Sequence, residues 1–86
     1  MKLTFSSRAW EEYLYWQKTD KSILKRVNLL IKNIQRQPFE GIGKPEALKH
    51  SLSGYWSRRI TDEHRIVYKV SDDSLLVAQL RYHYEY

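Results

Sequence analysis

The chain has 86 residues, with 15 Lys+Arg against 10 Asp+Glu and a formal net charge of +5. Leu, Ile, Val and Phe make up 22 of the 86, enough for a small core and above the roughly one-fifth level at which charged chains stay disordered. The length points to one domain over residues 1–86, and the absence of cysteine excludes a disulfide framework, a thiolate zinc site and a cysteine nucleophile.

Lys2-Leu3-Thr4-Phe5-Ser6 alternates polar and apolar residues, the pattern of a short strand. No apolar signal-peptide core follows Lys2, because Ser6, Ser7 and Arg8 interrupt it. Ser6 or Ser7 can cap a helix whose first turns hold Glu11 and Glu12, favourable near its positive end. Trp10, Tyr13, Leu14 and Gln17 then share a face. Thr19-Asp20 breaks this helix, and Asp20 can cap a second one. In the second helix Ile23, Leu24, Val27, Leu30, Ile31 and Ile34 keep helical spacing. Residues 21–36 also carry Lys21, Lys25, Arg26, Lys32 and Arg36 with no acid, so this segment alone matches the net charge. A basic face of this kind suits a polyanionic partner or is simply solvated.

Pro38 ends the helical region, and Gly41 and Gly43 make residues 37–45 a turn-rich connection. Three strands follow, at Tyr55 to Ile60, Arg65 to Val70 and Leu75 to Tyr82, with a further one before Gly54. The polar breaks Thr61-Asp62-Glu63-His64 and Ser71-Asp72-Asp73-Ser74 are short, so these strands should pair as antiparallel hairpins. The longest apolar run, Leu75-Leu76-Val77-Ala78, is too short for a membrane span, and a cytoplasmic protein is the expectation. The predicted fold class is α+β: an N-terminal strand and a two-helix hairpin packed on an antiparallel sheet.

Helices on one side leave the other side of the sheet open. Strict alternation places Leu76, Ala78, Leu80 and Tyr82 on one face of the last strand and Gln79, Arg81 and His83 on the other. One consistent arrangement gathers Arg59, Arg65, Lys69, Arg81 and His83 on the open side. That group is either a solvated face or an anion-binding concavity with a histidine at its edge. His50, His64 and His83 show no metal-ligand spacing, and no G-x-S-x-G nucleophile elbow is present. Metal-free RNA cleavage needs less: a base for the 2′-hydroxyl, an acid for the leaving 5′-oxygen, and cations for the phosphate charge. Glu46, flanked by Lys44 and Lys49, is a carboxylate of the right kind, and His83 suits acid work near neutral pH.

Several motifs go further. Pro38-Phe39-Glu40-Gly41, Gly43-Lys44-Pro45-Glu46, Leu48-Lys49-His50, Leu52-Ser53-Gly54, Trp56-Ser57-Arg58-Arg59-Ile60, Glu63-His64-Arg65 and Arg81-Tyr82-His83-Tyr84 together resemble the Txe/YoeB toxins of the RelE-like superfamily. The opening, with Tyr13-Leu14-Tyr15-Trp16-Gln17 and Thr19-Asp20-Lys21, is similar too, so the resemblance covers nearly the whole chain. It implies a microbial-ribonuclease-like α+β fold and a ribosome-dependent mRNA endonuclease that cuts translated message in the A site without a metal or other cofactor. It also implies a YefM-like antitoxin partner, a homodimer, and contact with operator DNA only through the antitoxin complex. By the same resemblance Glu46 is the general base, His83 the general acid and Arg65 the residue that stabilises the charged transition state. Lys49, Arg59 and Lys44 fall at phosphate-contacting positions, and Tyr84 at one that aligns the substrate. The chain departs from the family pattern in carrying Glu85-Tyr86 after the His-Tyr pair, which bears on both His83 and Tyr84.

Glu63 is read as pairing with Arg65 or Arg59 and orienting it, while His50 and His64 are read as structural or RNA-backbone contacts. Trp10, Tyr13 and Trp16 are read as core or dimer-contact aromatics. Two other functions remain open at this point: a ribosome blocker that does not cleave, and a purely DNA-binding co-repressor subunit.

Overall fold

The computed structural model describes residues 1–85, so Tyr86 lies outside the described residues. β1 (Lys2–Phe5) leads into α1 (Ser7–Thr19) and α2 (Lys21–Arg36). After a long turn come β2 (Glu46–Ala47), a 3-10 turn at His50–Leu52, β3 (Trp56–Arg59), β4 (Arg65–Ser71) and β5 (Ser74–Gln79). The five strands form one sheet in the order β1-β5-β4-β3-β2. β2 to β5 are antiparallel neighbours, and β1 adds to the edge of β5 in parallel.

The helices start where the capping residues stand. The Ser6 hydroxyl accepts from the Ala9 N–H at 3.0 Å, and one Asp20 carboxylate oxygen accepts from both Ser22 and Ile23. Val27, Leu30, Ile31 and Ile34 of α2 are buried along the expected stripe. α1 is rotated from its expected face. Its buried residues are Ala9, Glu12 and Trp16, whereas Trp10 and Leu14 are exposed. The reason lies at the end of β5, where α1 satisfies backbone groups. Glu12 accepts the Leu80 N–H at 2.9 Å, and the Trp16 indole donates to the Leu80 carbonyl at 2.9 Å. Glu12 therefore serves as a buried acceptor, ion-paired to Arg8 at 3.2 Å, and is no longer a first-turn charge on the helix dipole.

On the sheet side the core is built from Ile60, Ile66, Tyr68, Leu75, Val77 and Leu80. Leu75 and Leu80 share this face although alternation separates them. A bulge explains it: Tyr68 pairs with Val77 but Val67 pairs with Gln79, so Ala78 is an extra residue. Leu76, opposite Lys69, and Gln79, opposite Val67, consequently lie toward the open side. Among the described residues no helix is long and apolar enough to cross a membrane.

The turn-rich stretch 37–45 is tied down from within the sheet by Arg58, which has no exposed surface. Its guanidinium donates to the carbonyls of Gln37, Glu40 and Ile42, to Asn33 Oδ1 and to the Tyr68 hydroxyl. Every one of these partners is a neutral oxygen. Tyr68 in turn donates to the Pro38 carbonyl at 2.6 Å, and burial raises the pKa of its phenol, keeping that proton in place. Gly43 passes so close that a Cβ there would lie 2.9 Å from Leu30 Cδ2, and its φ of +82° is one that favours glycine.

The C-terminal arm after β5 is held by the loop between β3 and β4. His64 Nδ1 accepts the Tyr82 N–H at 2.8 Å, and the Arg65 N–H donates to the Tyr82 carbonyl at 3.0 Å. The imidazole packs edge-on to Trp16, with ring centroids 4.8 Å apart. Desolvation lowers its pKa below the ordinary 6.5; Arg81 and His83 push the same way, while Glu63 and Glu12 oppose them.

Two predictions follow from these anchors. Arg58→Met should lower unfolding stability by about 3–5 kcal/mol, because several buried carbonyls lose their donor at once. Urea titration at fixed protein concentration checks this, and a loss below about 1 kcal/mol would show that the clamp is not stabilising. For His64, the folded state binds its proton less readily than the unfolded chain, so its contribution is complete above pH about 6.5 and is lost as pH falls through the lowered folded pKa. Native protein should therefore lose more of its urea midpoint between pH 7.5 and 5.5 than His64→Phe does.

Candidate active site

At the β2–β3–β4 end of the open face, Lys44, Glu46, Ser57, Arg59 and Arg65 line a small cleft of about 160 Å³, closed on one side by His83 and Tyr84 of the C-terminal arm. Each side chain arrives there for a local reason. β2 is two residues long, and its pairing with β3 sets Glu46 directly opposite Ser57. Arg59 is two residues beyond Ser57 and so shares its face. Its register partner across the ladder is Arg65. Lys44 stands at φ +54°, between Gly43 and Pro45, a left-handed setting that a lysine adopts only under constraint.

Placing two arginines directly opposite one another on adjacent strands is destabilising on its own. With Lys44 added, the cleft holds three cations against the single carboxylate of Glu46. This is the electrostatics of a site built for an anion. Arg65 is held in place by backbone oxygens: Nη1 donates to the carbonyls of Thr61 at 2.7 Å, Asp62 at 3.1 Å and His64 at 3.1 Å. The Tyr84 hydroxyl donates to Glu46 Oε1 at 3.0 Å, which orients the carboxylate. His83 Nε2 lies 3.1 Å from the Asp62 carbonyl. A carbonyl only accepts, so Nε2 is the donor in this contact and Nδ1 is the ring nitrogen left for another partner.

Six of the residues expected from the sequence thus meet in one place: Lys44, Glu46, Arg59, Arg65, His83 and Tyr84. Lys49, three residues after Glu46, is exposed at the start of the 3-10 turn and does not line the cleft itself. Glu63 makes no ion pair with Arg65 or Arg59 among the described residues; its N–H donates to Thr61 Oγ1, and its charge acts on His64. The loop carbonyls of Thr61 and Asp62 hold Arg65 in its place. One of the cations assigned to the open side is engaged elsewhere: the Arg81 guanidinium stacks 3.7 Å from the Tyr15 ring of α1. Lys69 stays on the open side, its ammonium 5.4 Å from the Tyr55 ring. Arg26 leaves the basic face of α2 to donate to the Arg59 carbonyl at 3.2 Å.

Ser57, which alternation sets on one face with Arg59, also lines the cleft, whereas nothing in the sequence marks the Asp62 carbonyl. Glu85 lines a larger neighbouring concavity with Tyr55, Gln79 and Tyr82, while the expectation for Tyr86 lies outside the described residues. Among the described residues no group of three or more His, Asp or Glu is placed to hold a metal ion.

Comparison with known proteins extends this picture. Residues 5–84 match the family model for YoeB-like toxins of bacterial type II toxin–antitoxin systems. The toxin YoeB of Escherichia coli K12 is 67% identical over 84 residues, covering 98% of this chain and 100% of that protein. A YoeB/ParE toxin structure from Agrobacterium tumefaciens superposes with a TM-score of 0.96 at 51% identity, covering 98% of this chain and 100% of that one. Structures of a YoeB dimer and of a heterotetrameric YoeB–YefM complex, both from Staphylococcus aureus, superpose at 0.91 and 0.90 with 50% identity. Each covers 98% of this chain and 98% of its own. A family-model match over residues 5–84 and identity of 67% to a relative covered along its whole length make the assignment: this chain belongs to the YoeB-like toxins of bacterial type II toxin–antitoxin systems.

Proposed function

We propose that the protein is a ribosome-dependent endoribonuclease that cuts translated mRNA in the A site. The observation that carries this reading is the cleft itself, where one carboxylate and one imidazole stand among Arg59, Arg65 and Lys44. Glu46 takes the proton of a 2′-hydroxyl, and the resulting alkoxide attacks the adjacent phosphorus. The bond from phosphorus to the 5′-oxygen breaks, and His83 supplies the proton to that oxygen from Nδ1. The products are a 2′,3′-cyclic phosphate and a free 5′-hydroxyl, with no net change in protons. Arg65 and Arg59 neutralise the charge that grows on the non-bridging oxygens. Tyr84 keeps the Glu46 carboxylate turned toward the nucleophile through its 3.0 Å hydrogen bond.

The exposed cations of α2, Lys21, Lys25, Lys32 and Arg36, supply a face for ribosomal RNA. A YefM-type antitoxin and self-association as a homodimer are proposed by analogy with the Staphylococcus aureus assemblies. Operator DNA would be reached only through the antitoxin complex, and the site of action is the cytoplasm.

Primer extension on a defined message, with translating ribosomes and with naked RNA, tests the reading. New 5′ ends within the A-site codon should appear only with ribosomes. Glu46→Gln and His83→Gln should each lower the cleavage rate by about 10²–10⁴-fold, the range of general acid–base catalysis. Translation arrest without new ends would overturn cleavage and favour a blocker. Tyr84→Phe, which keeps the ring and removes only the donor to Glu46, should cost less, about tenfold, a size set by the loss of one hydrogen bond to a charged group. An unchanged Tyr84→Phe rate would remove the orienting role.

A further inference from the structure

We propose that Gln79 is a positioning residue for the cleft, acting by holding the turn that delivers His83 and Tyr84 to it. This inference rests on the reading of those two side chains as RNA-cleaving groups, and it concerns how the fold makes them available.

The argument begins with the bulge in β5. Without an extra residue at Ala78, alternation would send Gln79 into the core alongside Leu75 and Val77. The shift in register sets it instead opposite Val67, beneath the departing C-terminal arm. There it is 7% exposed, a polar side chain in a place where an unpaired amide is costly. Its Nε2 donates to the carbonyls of Arg81 at 2.7 Å, Tyr82 at 3.2 Å and His83 at 2.7 Å. One amide group thus gathers three successive carbonyls.

Three successive carbonyls converge on one donor only if the backbone curls. The curl is visible at Tyr82, which stands at φ +68° although it carries a side chain that disfavours this region. The Tyr82 N–H meets His64 Nδ1, and its carbonyl also accepts from the Arg65 N–H. Gln79 acts from the strand below, His64 from the loop beside it. The next two residues are His83, at the Asp62 carbonyl, and Tyr84, at Glu46. The amide holds the backbone that leads into both, through the carbonyls of Arg81, Tyr82 and His83.

Gln79→Met keeps the length and bulk of the side chain and removes the donor. Three measurements are made together: the thermal midpoint, the NMR resonances of the His83 imidazole and the Tyr84 ring, and single-turnover cleavage on programmed ribosomes. The expected result is a folded protein whose His83 and Tyr84 signals shift or broaden. Its maximal cleavage rate should fall about 10–100-fold, with the half-saturating ribosome concentration within about twofold of native, as for a misplaced reacting group. A folded Gln79→Met with native signals and native rate would overturn the proposal, and so would a loss confined to ribosome affinity. If Gln79→Met does not fold, Gln79→Asn carries the same test, because it keeps the amide and draws its donor back from the three carbonyls by one methylene. If native protein cleaves no RNA, the function proposed above fails, and the His83 and Tyr84 resonances still decide whether Gln79 sets the arm.

Discussion

A fully buried guanidinium organises this protein. Arg58 sits on the helix-covered side of β3 and binds only neutral oxygens, three of them backbone carbonyls from residues 37 to 42. Charge-assisted hydrogen bonds in a dry setting are strong, and the cation is tolerable only because its donors are so well occupied. A stretch rich in Gly and Pro would otherwise wander over the surface. Held by Arg58, it runs back along the sheet, passes Gly43 under Leu30, and presents Lys44 and Glu46 at the edge. The neighbouring residue, Arg59, points the opposite way into the cleft. One strand thus supplies a structural cation on one face and a cleft-lining one on the other.

The cleft stores the opposite kind of electrostatics. Arg59 faces Arg65 across the ladder with no intervening acid, and Lys44 adds a third positive charge. Folding alone would not favour this arrangement. Under the proposed function an incoming phosphate would relieve it, which couples ligand binding to charge repulsion in the direction a polyanion-binding site requires. Glu46 accepts from the Tyr84 hydroxyl and makes no ion pair with these cations among the described residues. The site is therefore assembled from two independent pieces, a sheet edge set by Arg58 and an arm set by Gln79 and His64.

Much of this was legible in the chain before folding was considered. The caps at Ser6 and Asp20, the stripe of α2 and the polar breaks between strands were all readable from local chemistry and period. So were the residue types of the cleft, because the motifs around Glu46, Arg65 and His83 are distinctive. What misled was strict alternation. It paired Leu76 with Leu80 and put Arg81 beside His83, since a bulge leaves no mark in the sequence beyond an unremarkable alanine. The face of α1 was misjudged for a related reason. Ala9 and Glu12 carry no large apolar signal, and they are buried because Leu80 needs partners there.

The sequence by itself determined the helix hairpin, the α+β class and the basic excess. These are properties of composition and of spacing within one element, where neighbours along the chain are also neighbours in space. Only the tertiary structure decided that Glu63 leaves Arg65 to the loop carbonyls, that Arg58 is a buried clamp, and that the Gln79 amide meets the carbonyls of Arg81, Tyr82 and His83. Each depends on contacts between strands or between a strand and a loop. In a sheet a single inserted residue reverses every side chain beyond it, so such contacts are set by register and not by type.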